Sequence, residues 1–224
     1  LRYIRILKGE FGDGHHVHLY TSTVDLDAFH SLQESGLDEL RIHPPMERWG
    51  STGATLQELR GSLDLSLGLE VPAVPGSAQV LQSLLREADE AGLDFVNLNE
   101  LEFSETNWEA LRGRGMRVKD DTSSAAEGSE ALALDMLELD LTIPRHYCSS
   151  SFKDRVQLRR RIVRRAGRVA RPSDLVTEEG MLLKGVVETD DPVGAGEMLH
   201  RELEVPLDLM YLYYQKGRLE VAPW

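Results

Sequence analysis

The chain has 224 residues and a mass of 25.1 kDa, enough for one large domain or one domain with an appendage. Hydrophobic residues make up 41% and charged residues 28%, mean hydropathy is -0.31, and no apolar run approaches the roughly 20 residues that span a bilayer, so transmembrane and collagen-like readings are excluded. Asp and Glu number 38 against 25 Lys and Arg, a net charge of -13 that disfavours a generic polyanion binder, and the single cysteine, Cys148, excludes both an intrachain disulfide and a multi-cysteine metal site built from this chain alone.

The chain opens on the helix-like LRYIRILKGEFG, with no basic n-region, apolar h-region or cleavage site. A start at Leu1, without Met and inside a periodic segment, predicts the interior of a longer protein. Short apolar runs then alternate with segments of helical period, the pattern of βα units and a parallel sheet. A first strand is read at His15 to Thr21 and a helix at Asp25 to Glu34, where Leu26, Phe29, His30 and Leu32 share a side and Gly36 supplies the stop. A second strand at Glu39 to His43 is closed by Pro44 and Pro45. Next come a helix at Thr52 to Leu63, a strand at Leu69 to Val74, and a Pro75–Gly76 turn into a helix at Ala78 to Ala91, with Gly92 as its stop. The fourth strand is Asp94 to Leu98, before a helix at Glu105 to Arg112; the fifth is Met116 to Lys119, before a Ser-rich turn and a helix at Glu127 to Leu137.

After Ile143 the alternation is read as broken. RHYCSSSFKD is taken as a polar connector, with Ser151 and Asp154 at capping-box spacing before a helix of about fifteen residues ending near Gly167. Beyond Pro172 the pattern is strand (Leu182 to Glu188), helix (Val193 to Glu202) and a hairpin turning at Lys216 and Gly217. The predicted organisation is α/β: a partial (βα) barrel over 1–143, and over 144–224 the polar connector, a basic helix and a small α+β appendage.

Polar residues alternate inside strands whose parallel, helix-covered arrangement should bury both faces. The period of two puts His16, His18 and Tyr20 on one face, pairs Arg41 with His43, and pairs Asn97 with Asn99. If the strands curve into a barrel, these faces line its lumen and the C-terminal strand ends form the functional rim. The alternative is that the polar groups satisfy one another in a core. His16 and His18 also fit a divalent-metal reading, that of a barrel hydrolase, although it wants further ligands at later strand ends and only His43 presents itself there; Asp120 and Asp121 read as a solvated turn.

The series HLYTST, GLDELRIHPP, LEVPAVPG, FVNLNELEFSETN and HYCSSSFKDRVQLRRRI, from about His15 to Gly185, resembles the C-terminal part of a radical S-adenosylmethionine (radical SAM) protein, from an uncharacterised branch related to pyruvate formate-lyase activating enzymes. The resemblance implies a partial (βα)6 barrel in which HLYTST, LRIHPP, LEVPAVPG and FVNLNE are the third to sixth strands. It also implies a 4Fe-4S cluster held by a CxxxCxxC loop. With Cys148 alone, that loop is expected in a missing N-terminal segment, and this chain by itself is expected to be inactive. In the complete enzyme the cluster would reductively cleave S-adenosylmethionine to a 5'-deoxyadenosyl radical that abstracts hydrogen from an unknown substrate.

On this resemblance the cofactor would be held by Thr21 and Ser22, Arg41 and His43, Glu70 with Pro75 and Gly76, and Asn97, Asn99 and Glu100. Arg41 suits a carboxylate through its planar fork, and the amides suit ribose hydroxyls or an adenine edge. Arg41, His43, Asn97 and Asn99 are expected to converge on one cavity. His146, Cys148 and Lys153 are the candidate catalytic residues, Cys148 as a hydrogen-atom donor, nucleophile or extra ligand beside a helix N-terminus. The basic helix over 153–168, with Arg155, Arg159, Arg160, Arg161, Arg164 and Arg165, suits an anionic substrate, or RNA in a non-catalytic RNA- or protein-binding module. A membrane partner is not expected, nucleic acid is not favoured, and the expected location is the cytoplasm.

Overall fold

The computed structural model describes residues 1–120 and 123–223, so the Asp121 reading lies outside the described residues. The chain divides into two compact units, Leu1–Ser150 and Ser151–Trp224. Among the described residues no helix is long and apolar enough to cross a membrane.

The first unit begins with α1 (Arg2–Phe11), followed by β1 (His18–Thr21), α2 (Leu26–Glu34), β2 (Glu39–Ile42), a 3-10 turn (Met46–Ser51), α3 (Gly53–Ser62), β3 (Ser66–Ala73), α4 (Ala78–Glu90) and β4 (Phe95–Glu100). These four strands are parallel and adjacent in chain order, as the βα pattern predicts. Helices α2 and α4 start or stop on local signals. The Asp25 carboxylate accepts the Ala28 N–H at the head of α2, and Gly36 and Gly92 take positive φ just past α2 and α4.

The sequence reading of the fifth strand is corrected. The unit continues with α5 (Trp108–Gly113), β5 (Val118–Asp120), β6 (Ser123–Ala126), α6 (Ser129–Leu137) and β7 (Arg145–Cys148). β5 pairs antiparallel with β6 in a two-stranded ribbon, and the fifth strand of the parallel sheet is β7 beside β4. The stretch taken as the start of a polar connector is therefore strand. Its Arg145 is held by the Leu139 carbonyl at 2.8 Å, so a polar residue there bonds the backbone of the preceding turn.

One face of the parallel sheet is apolar. Leu40, Leu67, Leu69, Val71, Val96 and Leu98 are fully buried against Leu56, Leu59, Leu81, Leu84, Leu85 and Ala133 from α3, α4 and α6. Each such side chain contributes roughly 1.5–3 kcal/mol when removed from water. The sheet is ordered β1-β2-β3-β4-β7, with β1 and β7 outermost, and it is this open sheet that carries the site residues.

The helix expected to be capped by Ser151 has already begun at Ser150, the last residue of the first unit: α7 (Ser150–Phe152) runs into a π-helical stretch (Lys153–Leu158) and α8 (Arg159–Val169). Ser151 is thus inside the helix, and the Ser151/Asp154 spacing is not a capping box. There follow β8 (Leu175–Val176), β9 (Leu182–Leu183), β10 (Gly185–Val187), α9 (Pro192–Leu203), β11 (Met210–Tyr213) and β12 (Arg218–Val221). β10, β12 and β11 form an antiparallel sheet, and Gly217 takes a left-handed turn between β11 and β12 at the position read as a hairpin turn.

Candidate functional site

The second face of the parallel sheet is polar, and strand registry lays its side chains out in rows. His18 lies beside Glu39, Tyr20 beside Arg41, Arg41 beside Gly68, Gly68 beside Phe95, Glu70 beside Asn97, Asn97 beside His146 and Asn99 beside Cys148. Cross-strand neighbours share a face, so these residues form one continuous surface.

Glu70 is the point where the rows meet. Its carboxylate accepts from Asn99 Nδ2 at 3.0 Å, from Asn97 Nδ2 at 3.4 Å and from an Arg41 guanidinium nitrogen at 3.4 Å. Arg41 also donates to the Tyr20 hydroxyl at 2.7 Å and, through Nε, to Glu39. Its guanidinium sits 5.0 Å from the Tyr20 ring centre and 5.3 Å from that of Phe95, in cation–π range. Phe95 reaches it because Gly68, the cross-strand neighbour between them, has no side chain.

The electrostatics follow from this packing. Burial works against the Arg41 charge, but the Glu39 bond, Tyr20 and the two carboxylates outweigh it and raise its pKa. Burial, then the Glu70 charge, raise the pKa of the Tyr20 phenol. Two carboxylates facing one guanidinium leave the cluster with an excess of negative charge, a surface suited to a ligand with net positive charge.

Of the residues expected to hold a cofactor, the structure brings Arg41, Glu70, Asn97 and Asn99 together. His43 lies just past β2, exposed, its N–H donating to the Thr21 carbonyl at 2.8 Å; among the described residues it is not one of the groups bonded to Glu70. The Thr21 hydroxyl is turned into a local loop bond with Thr23. Ser22 borders a separate recess of about 310 Å³ with Pro44, Pro45, Arg48 and Thr52. Pro75 and Gly76 form the turn between β3 and α4, with Gly76 at φ 86.

Glu100 stands apart from Asn97 and Asn99. It falls on the buried positions of β4 with Val96 and Leu98, and it accepts the Ser150 N–H at 2.7 Å and Lys119 at 3.3 Å. Burial and the Glu100 charge push the neighbouring Tyr147 phenol well above its ordinary pKa, although the two make no hydrogen bond of standard geometry. Of the candidate catalytic residues, His146 and Cys148 lie on β7 within the polar face, not in a connecting loop, and Lys153 falls in the second unit. In that unit the arginines of α8 are exposed, and Arg159 reaches Glu178.

Sequence reasoning missed Glu39, Gly68 and Phe95. The first was available, since Glu39 precedes Arg41 by two; the others show only once the strands are paired.

No family model matches the chain, and no solved structure matches it significantly. Over 210 residues the chain is 38% identical to a protein of Methanocaldococcus jannaschii described as a "Putative glycyl-radical enzyme activating enzyme". The match takes in 88% of this chain and 55% of that protein, so the chain spans about half the length of the curated relative it matches. The resemblance to radical SAM activating enzymes carried by the strand motifs is borne out by this similarity.

Proposed function

We propose, from this kinship with a radical SAM activating enzyme, that the chain is the S-adenosylmethionine-binding part of such an enzyme, that its five-stranded sheet is a partial (βα) barrel, and that the polar sheet face is its lumen. The reading extends to the whole protein's role, the activation of a glycyl-radical enzyme. The observation that carries it is the meeting of Arg41, Asn97 and Asn99 on Glu70 across three parallel strands.

The donor set fits S-adenosylmethionine. At neutral pH that molecule carries a sulfonium, an ammonium and a carboxylate, a net positive charge that complements two carboxylates against one guanidinium. Glu70 and Glu39 suit the cationic groups, Arg41 suits the carboxylate, and the amides of Asn97 and Asn99 suit ribose hydroxyls or an adenine edge. Tyr20 and Phe95, stacked about Arg41, hold its fork in place and keep water from one side of it. His146 and Cys148, at the β7 end of the same face, are the residues left to meet the substrate.

A 4Fe-4S cluster does not fit this chain's residues. One cysteine cannot supply three thiolates, so no step through a cluster is assigned to these side chains.

Calorimetric titration of the chain with S-adenosylmethionine tests the reading. Saturable binding is expected, weakened at least about tenfold, or about 1.4 kcal/mol, by Glu70→Ala and by Arg41→Ala. Binding unchanged in both variants would place the cofactor elsewhere and sink the assignment.

A further inference from the structure

We propose that His16, His18 and Glu39 bind one divalent transition-metal ion, with zinc the best match to the ligand set. The site lies at the N-terminal ends of β1 and β2, away from the C-terminal strand ends; it shares Glu39 with the cofactor assignment above but uses the carboxylate oxygen that Arg41 does not engage, and its test needs no cofactor. One ligand atom from each residue lies within 4.8 Å of the other two. A tetrahedral ion with bonds of about 2.0–2.2 Å needs its ligand atoms about 3.4 Å apart. The His16 Nε2 to Glu39 Oε2 separation is 3.4 Å, so that edge is already formed. His18 completes the triangle by a small rotation of an exposed ring.

The backbone sets this geometry. His18 and Glu39 are cross-strand partners in the β1–β2 ladder, and His16, two residues before His18, falls on the same face. The two imidazole ring centres are 5.9 Å apart. A surrounding layer of contacts orients the donors, as at established metal sites. Arg41 Nε engages Glu39 Oε1 and leaves Oε2 toward the histidines, while His18 packs edge-on against Tyr20 at 5.2 Å. A simple ion pair between His16 and Glu39 would account for one side of the triangle only, and such pairs at exposed positions contribute little.

Two imidazole nitrogens and one carboxylate form a borderline N2O set, which selects zinc and its neighbours over magnesium or calcium and leaves a fourth position for water.

The metal-free chain titrated with zinc against a chromophoric chelator tests the site. One ion per chain is expected. His16→Ala, His18→Ala and Glu39→Gln should each weaken binding at least tenfold, and His30→Ala, an exposed histidine on α2, should leave it unchanged. Zinc should raise the melting temperature of the wild-type chain and not that of His18→Ala, a readout that holds even where a variant is less stable. Cobalt(II) should give the intense visible bands of a four-coordinate site without thiolate charge transfer. Absence of one-to-one binding, retention of it in either histidine variant, or a thiolate band that points to Cys148 would each overturn the proposal.

Discussion

Arg41 keeps its charge in a half-buried position because each of its neighbours compensates the loss of water: Glu39 and Glu70 by charge, Tyr20 by its hydroxyl and ring, Phe95 by its ring. That arrangement depends on an absence, the missing side chain at Gly68. A Cβ there would overlap the Phe95 ring at a distance real side chains do not adopt. Gly68→Ala must therefore displace Phe95 from Arg41 or push the strands apart, and overpacking of this kind costs about 1–3 kcal/mol. Urea denaturation should show a midpoint lowered accordingly. The double variant Gly68→Ala with Phe95→Ala should recover part of the loss, because the clash goes with the ring; no recovery would mean that the glycine acts through its backbone instead.

At the scale of elements, the link between α1 and the sheet rests on Asp38, at the head of β2. Its carboxylate takes Lys8 Nζ at 2.7 Å from α1 and the Val17 N–H at 2.7 Å from the approach to β1. Burial opposes the charge, and those two bonds outweigh it, so its folded pKa lies below the ordinary carboxylate range. The unfolded chain then takes up the proton first. The contribution is complete above the unfolded value near 4 and disappears as pH falls through the lower folded value. Asp38→Asn should cost about 1 kcal/mol at pH 7, a modest figure because the group is partly exposed and screened. In urea titrations the cost should shrink as pH falls below about 4; a cost independent of pH would assign it to packing rather than charge. Asp89, which accepts from the Thr142 hydroxyl and the Thr142 and Ile143 N–H groups, anchors the approach to β7 in the same way. These clamps were not legible in the sequence, because a lone Asp carries no periodic signal. The first four strands were legible, β1 from the alternation in HHVHLYT and β2 to β4 from the apolar Leu40, Leu69, Val71, Val96 and Leu98, with glycines ending several of the helices between them; β3 starts at Ser66, ahead of the Leu69 start predicted from the sequence. β7 was not: in RHYC only Tyr147 and Cys148 read as apolar, and the strand is recognised by its partner β4 rather than by its own residues. Period-two alternation did place Arg41, Asn97 and Asn99 on one face, and it also gives the buried side to Glu100, which motif resemblance had grouped with them.

For the molecule as a whole, the two units differ in what holds them together. The first has a continuous apolar core between sheet and helices. In the second, among the described residues, the buried apolar side chains are Ala166 and Leu219, while Asp174 and Glu220 are buried with charge. Glu220 on β12 takes Arg218 at 2.6 Å, Lys184 at 2.9 Å and Arg171 at 3.3 Å, and Arg171 lies 3.5 Å over the Tyr211 ring. Burial works against the Glu220 charge, but Lys184 and Arg218 outweigh it and lower the folded pKa, so this stabilisation too is lost as pH falls below the carboxylate range. Glu220→Gln leaves three cations around a neutral amide. Removing one partner of a buried ionic cluster costs about 3–5 kcal/mol, and partial exposure of the cations brings the expected loss to about 2 kcal/mol. Sparse apolar packing predicts low local stability, which hydrogen exchange reads directly. Amides of β10 to β12 should exchange faster than those of β2 to β4 in the wild-type chain, and faster still in Glu220→Gln, with β2 to β4 unchanged. Equal acceleration of β2 to β4 would show that the chain opens as one cooperative body and that the ionic cluster supports all of it.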